Sequence, residues 1–468
     1  MERFRQWAFK PVDHASFSFF RIVFGILMIV ELYRYYHYDW IKNYFLAPSV
    51  LFTYYGFSWV KPWPGDGLYL HWIVTAVFAL FISLGFLYRL SSVLFFLGVT
   101  YIFLLNQAAY LNHWYLICLF SFLLIFVPAH RACSIDKLIG LATPSRTIPN
   151  WALWLLRFQL GVVYFYAGIA KISHDWLHAE PMRAWTIGRT DLLIIGRFAN
   201  EAWLPYLLSY AGLFFDLMIV PLLLWRRTRL VALALAFCFH ILNANMFHIG
   251  IFPWLSSAAT LLYLSPSWPR RLARFLPRGL RSALHIDLQP PAPSSRESPA
   301  SRGRQAAVLT LATSYALLQL LVPFRHYLYP GNVDWTHEGH RFSWRMLLYD
   351  RTSRARFYVI DPNIDREEAV RPEHHLRRSV AEFMAARPDM ILQFAHYLAR
   401  TMPRAGPLPL RVEARILSSI NGRKAEEFVR PGVDLAAETR NLKRVRWVMP
   451  MKEPLPKDPR ARRRVEMD

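Results

Sequence analysis

The sequence predicts a mostly α fold: a polytopic helical membrane bundle of about nine spans, followed by a small extracytoplasmic α+β domain. Three observations predict it. Hydrophobic residues make up 54% of the 468-residue chain and aromatics 16%, and the apolar residues gather in long runs. The formal charge is +23, from 55 Lys and Arg against 32 Asp and Glu, with the arginines in short loops between the runs. That is the bias of loops on the inner face of a membrane; a nucleic-acid footprint would interleave base-stacking aromatics with the basic residues. After Pro323 the apolar runs shrink to strand length and charged residues become frequent.

The candidate spans lie near 17–32, 69–88, 91–106, 109–128, 152–171, 203–225, 229–247, 249–264 and 306–323. With the N-terminus in the cytoplasm, the inside loops hold Arg3, Arg5 and Lys10; Arg89; Arg131, Lys137 and Arg146; Arg226, Arg227 and Arg229; and eight arginines from Arg270 to Arg304. An odd number of spans then places the C-terminal domain outside. The first fourteen residues are polar and show no cleavable leader, so the first span is expected to act as its own address. The organisation expected is a membrane domain over 1–283, a flexible cytoplasmic linker over 284–305, rich in Pro, Ser and Arg, and a last span over 306–324. A domain over 325–456 and a disordered basic tail over 457–468 complete it. In that domain, 357–361, 410–420 and 443–449 read as strands. Residues 376–402 read as helix, with Val380, Phe383, Met384, Ile391, Phe394 and Leu398 as its apolar stripe.

Residues 152–178 (ALWLLRFQLGVVYFYAGIAKISHDWLH) are the stretch that points to chemistry. An apolar helix long enough to cross a bilayer ends in Lys171, just before the turn-like Ser173-His174-Asp175. Gly161, Tyr164, Gly168 and Lys171 share one helical face. An ionisable residue in a membrane segment is costly and marks a functional site by default; the alternative is a lysine snorkelling to anchor the helix end. Asn112 and His113 open the fourth span on its outer side, and His240, Asn243 and Asn245 close the seventh on the same side, with His248 just beyond. Convergence of Lys171, His113, His240 and Asn243 at one membrane level suggests a shared site. A lysine desolvated in an apolar pocket loses charge stabilisation and can act as a base near neutral pH, which suits a lipid-soluble substrate with an acidic hydroxyl. The three cysteines, Cys118, Cys133 and Cys238, have neither metal-ligand nor redox spacing, so no metal is expected. Dinucleotide, P-loop, nucleophile-elbow and zinc-protease motifs are missing from the sequence.

The run YFYAGIAKISHDW (164–176) resembles the segment around the catalytic lysine of the vitamin K-dependent gamma-glutamyl carboxylases. SFFRIVFGILM (18–28), LGFLYRLSSVLFFL (84–97), LNHWYL (111–116), SIDKL (134–138), FHILNANMFHIGIFPW (239–254), SPSWPRRL (265–272), QLLVPFRHYLYPGNVDWT (319–336) and FSWRMLLYDR (342–351) are similar in the same order. The resemblance implies that a base deprotonates vitamin K hydroquinone, dioxygen adds, and a strong alkoxide base forms on the way to the 2,3-epoxide. That alkoxide takes a γ-proton from glutamate, and the carbanion captures carbon dioxide. It implies catalytic roles for Lys171 and His130. It also implies quinone or substrate contacts for Trp344, Met346 and Arg351, in a site shared with Asn112, His113, Tyr164, His240 and Asn243. Expected partners are membrane lipid and a glutamate-containing peptide or protein, with no nucleic acid. Without the long C-terminal extension and cysteine pairing of the animal enzymes, the chain is expected to be a bacterial relative in the cell (inner) membrane.

The chain departs from that pattern at Arg345, where the family has an acidic residue, at Tyr349 for a histidine and at Ala129 for an asparagine. These departures leave the epoxidation half better supported than the carboxylation half. An enzyme that only epoxidises the quinol and a non-catalytic quinone- or lipid-binding scaffold therefore remain alternatives. The span count also puts His130 on the inner side, away from Lys171.

Overall fold

The computed structural model describes residues 2–192, 195–247, 249–279 and 301–456. Most of the predicted linker, the basic tail and His248 lie outside them. Among the described residues, seven helices are long and apolar enough to cross a membrane: Ala15–His37, Gly67–Leu84, Tyr88–Leu105, Asn150–Ala170, Trp203–Leu224, Arg229–Met246 and Arg302–Leu328. The other two predicted spans are shorter. Asn112–Phe126 has 15 residues, a rise of about 22 Å, and the eighth is the helix Phe252–Thr260 with a 3₁₀ turn, Leu261–Tyr263. Helix also begins earlier than the predicted last span, at Arg302, where the Ser301 hydroxyl accepts from the Arg304 N–H.

Small residues set how closely these helices approach. A Cβ on Gly25 would lie 2.6 Å from the Ala79 carbonyl oxygen. Only glycine therefore lets Ala15–His37 lie directly on Gly67–Leu84. At Gly168 a Cβ would lie 2.8 Å from Leu217 Cγ and 3.2 Å from its backbone nitrogen, so Asn150–Ala170 and Trp203–Leu224 are pressed together just where Lys171 begins.

The C-terminal domain is built on a four-stranded antiparallel sheet in the order Arg366–Val370, Arg351–Asp361, Arg411–Ile420, Glu426–Glu427. Phe357 stands opposite both Val370 and Ala414. The expected strand at 443–449 is not formed; that stretch makes a single bridge, Val429 to Val448. The expected helix over 376–402 is two helices, Arg378–Ala385 and Pro388–Thr401, because proline has no N–H to continue the first and is suited to start the second. Met384, Ile391, Phe394 and Leu398 pack with Phe357, Val412 and Ile416 in the domain core. Val50 and Phe52, from the loop after the first span, join that core. The Thr53 N–H donates to Gln393 Oε1 at 2.9 Å, so the bundle's own loop is part of the outer domain.

Candidate active site

Helix Asn150–Ala170 stops at Lys171 because the next turn has its own cap: the Ser173 hydroxyl accepts from the Trp176 N–H at 3.3 Å. Lys171 is 7% exposed. Its Nζ donates to Asp216 Oδ2 at 2.7 Å and to the Ala167 carbonyl at 3.3 Å. The ammonium lies 5.1 Å from the Trp176 ring centroid, and that indole is held by a 2.8 Å bond to the Ser209 carbonyl. A snorkelling lysine would reach for water; this one is turned inward onto a carboxylate. The pair can hold one proton between amine and carboxylate, a charge-assisted bond in apolar surroundings.

Two turns earlier, the Tyr164 hydroxyl lies 2.7 Å from His240 Nε2 and 3.4 Å from the Thr260 hydroxyl. His240 Nδ1 is buried without a hydrogen-bond partner. Asn243 Nδ2 donates to the Phe239 carbonyl at 2.9 Å. These groups open onto a cavity of about 450 Å³ whose membrane-side walls include Val163, Ala167, Leu208, Gly212, Phe239 and Phe252. That size is typical of small-molecule sites, which are mostly apolar with a few convergent polar groups. Asn112 and His113 also line it, as do Glu31 and Arg34, which pair at 2.7 Å. His113 Nε2 stands 3.8 Å from Glu31 Oε1.

The outer end of the cavity is closed by the segment His337–Tyr349 of the C-terminal domain. Phe342, Trp344 and Leu347 take left-handed backbone conformations, with φ of 63°, 55° and 50°. Such strain costs on the order of 1–3 kcal/mol each and persists only where the surroundings impose it. Here the Phe342 N–H donates to the Tyr110 hydroxyl at 2.9 Å, and Trp344 stacks on Tyr115 at 4.9 Å. Asn112 Nδ2 reaches the Arg345 carbonyl at 3.4 Å. The segment is thus plugged into the bundle, and it turns Met346 toward the cavity.

Arg345 makes a bidentate pair with Asp334 at 2.8 Å. The Tyr349 hydroxyl lies 2.9 Å from His337 Nε2 and 3.3 Å from His340 Nε2. Burial, with Arg387 and other guanidiniums nearby, holds both imidazoles well below the usual histidine range, so this trio is neutral.

The structure therefore gathers Lys171, Tyr164, His240, Asn243, Asn112, His113 and Met346 around one cavity. It does not bring His130, Trp344 or Arg351 to it. His130 lies beyond the far end of helix Asn112–Phe126, stacked 5.2 Å from Tyr88, with burial and Arg89 depressing its pKa to about 4. Trp344 is fully buried among the bundle's core residues, so it is no surface contact for a peptide. Arg351 starts the central strand; it donates to the Ser418 hydroxyl at 2.9 Å and to the Trp335 carbonyl, with its guanidinium over Trp335 and Phe428. The cavity is also lined by Asp216, Trp176 and Arg387, which sequence reasoning did not single out. A lone carboxylate inside the apolar run 203–225 was a visible signal for the first. Among the described residues no group of three His, Cys, Asp or Glu side chains is disposed to hold a metal ion.

A helical membrane bundle with a buried lysine–aspartate pair at an apolar cavity, closed by an α+β domain, describes an integral-membrane protein with an internal binding chamber. Residues 9–268, more than half of the chain, match the HTTM domain family, and residues 304–454 match the lumenal domain of vitamin K-dependent gamma-carboxylase. The chain belongs to the vitamin K-dependent gamma-carboxylase family, with its C-terminal domain on the extracytoplasmic side. No solved structure matches it.

Proposed function

We propose that the protein is a vitamin K-dependent carboxylase-type membrane enzyme, with reduced quinone in the apolar part of the cavity and Lys171 as the base. The observation that carries this reading is the buried Lys171–Asp216 pair at 2.7 Å, facing an apolar cavity. The residues fit a quinol ring: flat apolar walls, Lys171 Nζ, and the unpartnered His240 Nδ1. Bound vitamin K hydroquinone would supply, on oxidation by dioxygen to the 2,3-epoxide, the strong base that lets a glutamate γ-carbon take up carbon dioxide. With the pair's single proton on Asp216, the neutral Lys171 amine can accept the quinol proton, and the ammonium that forms balances the quinolate. Tyr164 and His240 orient the ring's oxygen, while the Phe342–Leu348 plug excludes water, which strengthens each of these interactions.

Incubation with reduced vitamin K and a glutamate-containing peptide tests this, with epoxide and incorporated labelled carbon dioxide followed separately. Both products are expected. Epoxide alone would restrict the function to quinol oxidation, with Arg345 and Tyr349 as the first residues to revert. Neither product would leave a quinone- or lipid-binding scaffold. The proposed setting is a bacterial cell membrane with a cytoplasmic N-terminus; a reporter after Pro323 should then lie outside, and one at Arg296 inside.

A further inference from the structure

The cations lining the cavity stand against carboxylates with one exception. Lys171 has Asp216 at 2.7 Å, Arg34 has Glu31 at 2.7 Å, Arg341 has Asp389 at 3.0 Å and Arg345 has Asp334 at 2.8 Å. Arg387, which also lines the cavity, has no carboxylate within ion-pair distance among the described residues. Its Nη1 donates to the Phe383 carbonyl at 2.7 Å and its guanidinium lies over the Phe383 ring. A buried cation without a counter-charge is strongly unfavourable. Burial, with the neighbouring Arg341 and Arg351, depresses its pKa to about 9 against the opposing pull of Tyr349 and Asp389. Arg341, of the same cavity wall, carries a second mismatch: its Nε and Nη2 are buried with no acceptor. Buried donors are almost always paired. An excess charge and two orphan donors in one place call for an anion. One net charge matches a carboxylate better than a doubly charged phosphate, and two planar guanidiniums match its two oxygens.

We propose that Arg387, with the free N–H groups of Arg341, binds the carboxylate of the substrate's acidic side chain at the outer end of the cavity. The proposal rests on the reaction above and reassigns its carboxylate contact from Arg351 to Arg387. Arg351 is engaged within its own domain, whereas Arg387 shares the cavity with Lys171.

The test uses the full chain in lipid nanodiscs, a short peptide with one glutamate, and the same peptide with glutamine in its place. Binding is read by thermophoresis, and thermal unfolding is followed without peptide. Wild type should prefer the glutamate peptide by about ten- to a hundredfold. Arg387→Gln should erase that preference and yet unfold at the same or a higher temperature, because it removes a partly buried charge that no carboxylate pairs directly. Arg341→Lys, which can keep a charge against Asp389 while losing the orphan donors, should also weaken the preference. Arg351→Gln should keep it. Full glutamate preference in Arg387→Gln, or a lower unfolding temperature for it without peptide, would overturn the site. Epoxide formation is measured on the same samples. Glutamate preference without epoxide would sink the proposed reaction and leave the carboxylate site standing; epoxide with an unchanged preference in Arg387→Gln would do the reverse.

Discussion

The two ends of the cavity treat charge in opposite ways. At the membrane end one ammonium meets one carboxylate, and the phenol of Tyr164 meets the imidazole of His240. At the outer end guanidiniums outnumber carboxylates, and the histidines beside them are held neutral. The difference follows from the surroundings. In the apolar bundle an unpaired charge has no water to fall back on, so a base can persist there only with its counter-ion. Where the C-terminal domain closes the chamber, the proposed carboxylate ligand would neutralise the excess cation.

The largest effect is expected from Lys171, which tests the membrane end. Lys171→Ala should abolish epoxide formation and, by stranding Asp216, destabilise the protein by about 3–5 kcal/mol. Adding Asp216→Asn should restore much of the unfolding temperature without restoring epoxide. Lys171→Arg should also be inactive, since a guanidinium does not give up its proton. Near-normal epoxide yield from any of these variants would sink the base assignment.

The next effect tests how the two ends are held together. Asp175, four residues after Lys171, is gripped by Arg423 at 2.6 and 2.8 Å and by Asn421 at 2.7 Å, both in the outer domain. Asp175→Ala or Arg423→Ala should lower stability by about 1.5–3 kcal/mol, read in chemical denaturation. Epoxide yield should fall with it if the outer domain positions the lysine. The exchanged pair Asp175→Arg with Arg423→Asp should recover part of both. No change in either quantity would mean that the two regions are independent.

Tyr164→Phe should be milder. Losing the bond to His240 is worth about 1 kcal/mol, so epoxide formation should drop about fivefold with little change in unfolding temperature. A drop as large as that of Lys171→Ala would make the phenol part of the proton path.

The smallest expected effect concerns pH and the outer end. His337 and His340 have folded pKa values below those of the unfolded chain, which are about 6.5. Below that value the unfolded chain binds protons that the folded one refuses, so stability should fall as pH drops from 7 toward 5.5 and stay flat above 7. An unfolding temperature that rises on acidification would contradict neutral histidines at the outer end.

How much of this was legible in the sequence differs residue by residue. Among the described residues, hydropathy located the seven helices long enough to span a membrane and the two shorter apolar ones, because the hydrophobicity of a segment needs no knowledge of its neighbours. Lys171 was legible because its signals, a helix end and a face shared with Gly168 and Tyr164, lie within one element. Strands at 357–361 and 410–420 were visible for the same reason, though the first begins at Arg351 and their pairing was not foreseen, and Pro388 broke a helix that its apolar stripe alone would have continued.

Whatever depended on two elements meeting was decided by the tertiary structure. Asp216 partners Lys171 across 45 residues because Gly168 lets two helices touch. Arg351 and Arg387 look equally available in the sequence, yet packing places one over Trp335 and Phe428 and the other in the cavity. His113 lies in the first turn of helix Asn112–Phe126 and His130 beyond its last, and the helix's length puts one at the cavity and the other far from it. The sequence by itself determined which segments are apolar enough to span a membrane and that an amine stands at the end of one, because transfer of side chains out of water is a property of each segment. Which counter-ion the amine faces, and which arginine is left without one, depended on helix rotation and close approach, which only the assembled fold specifies.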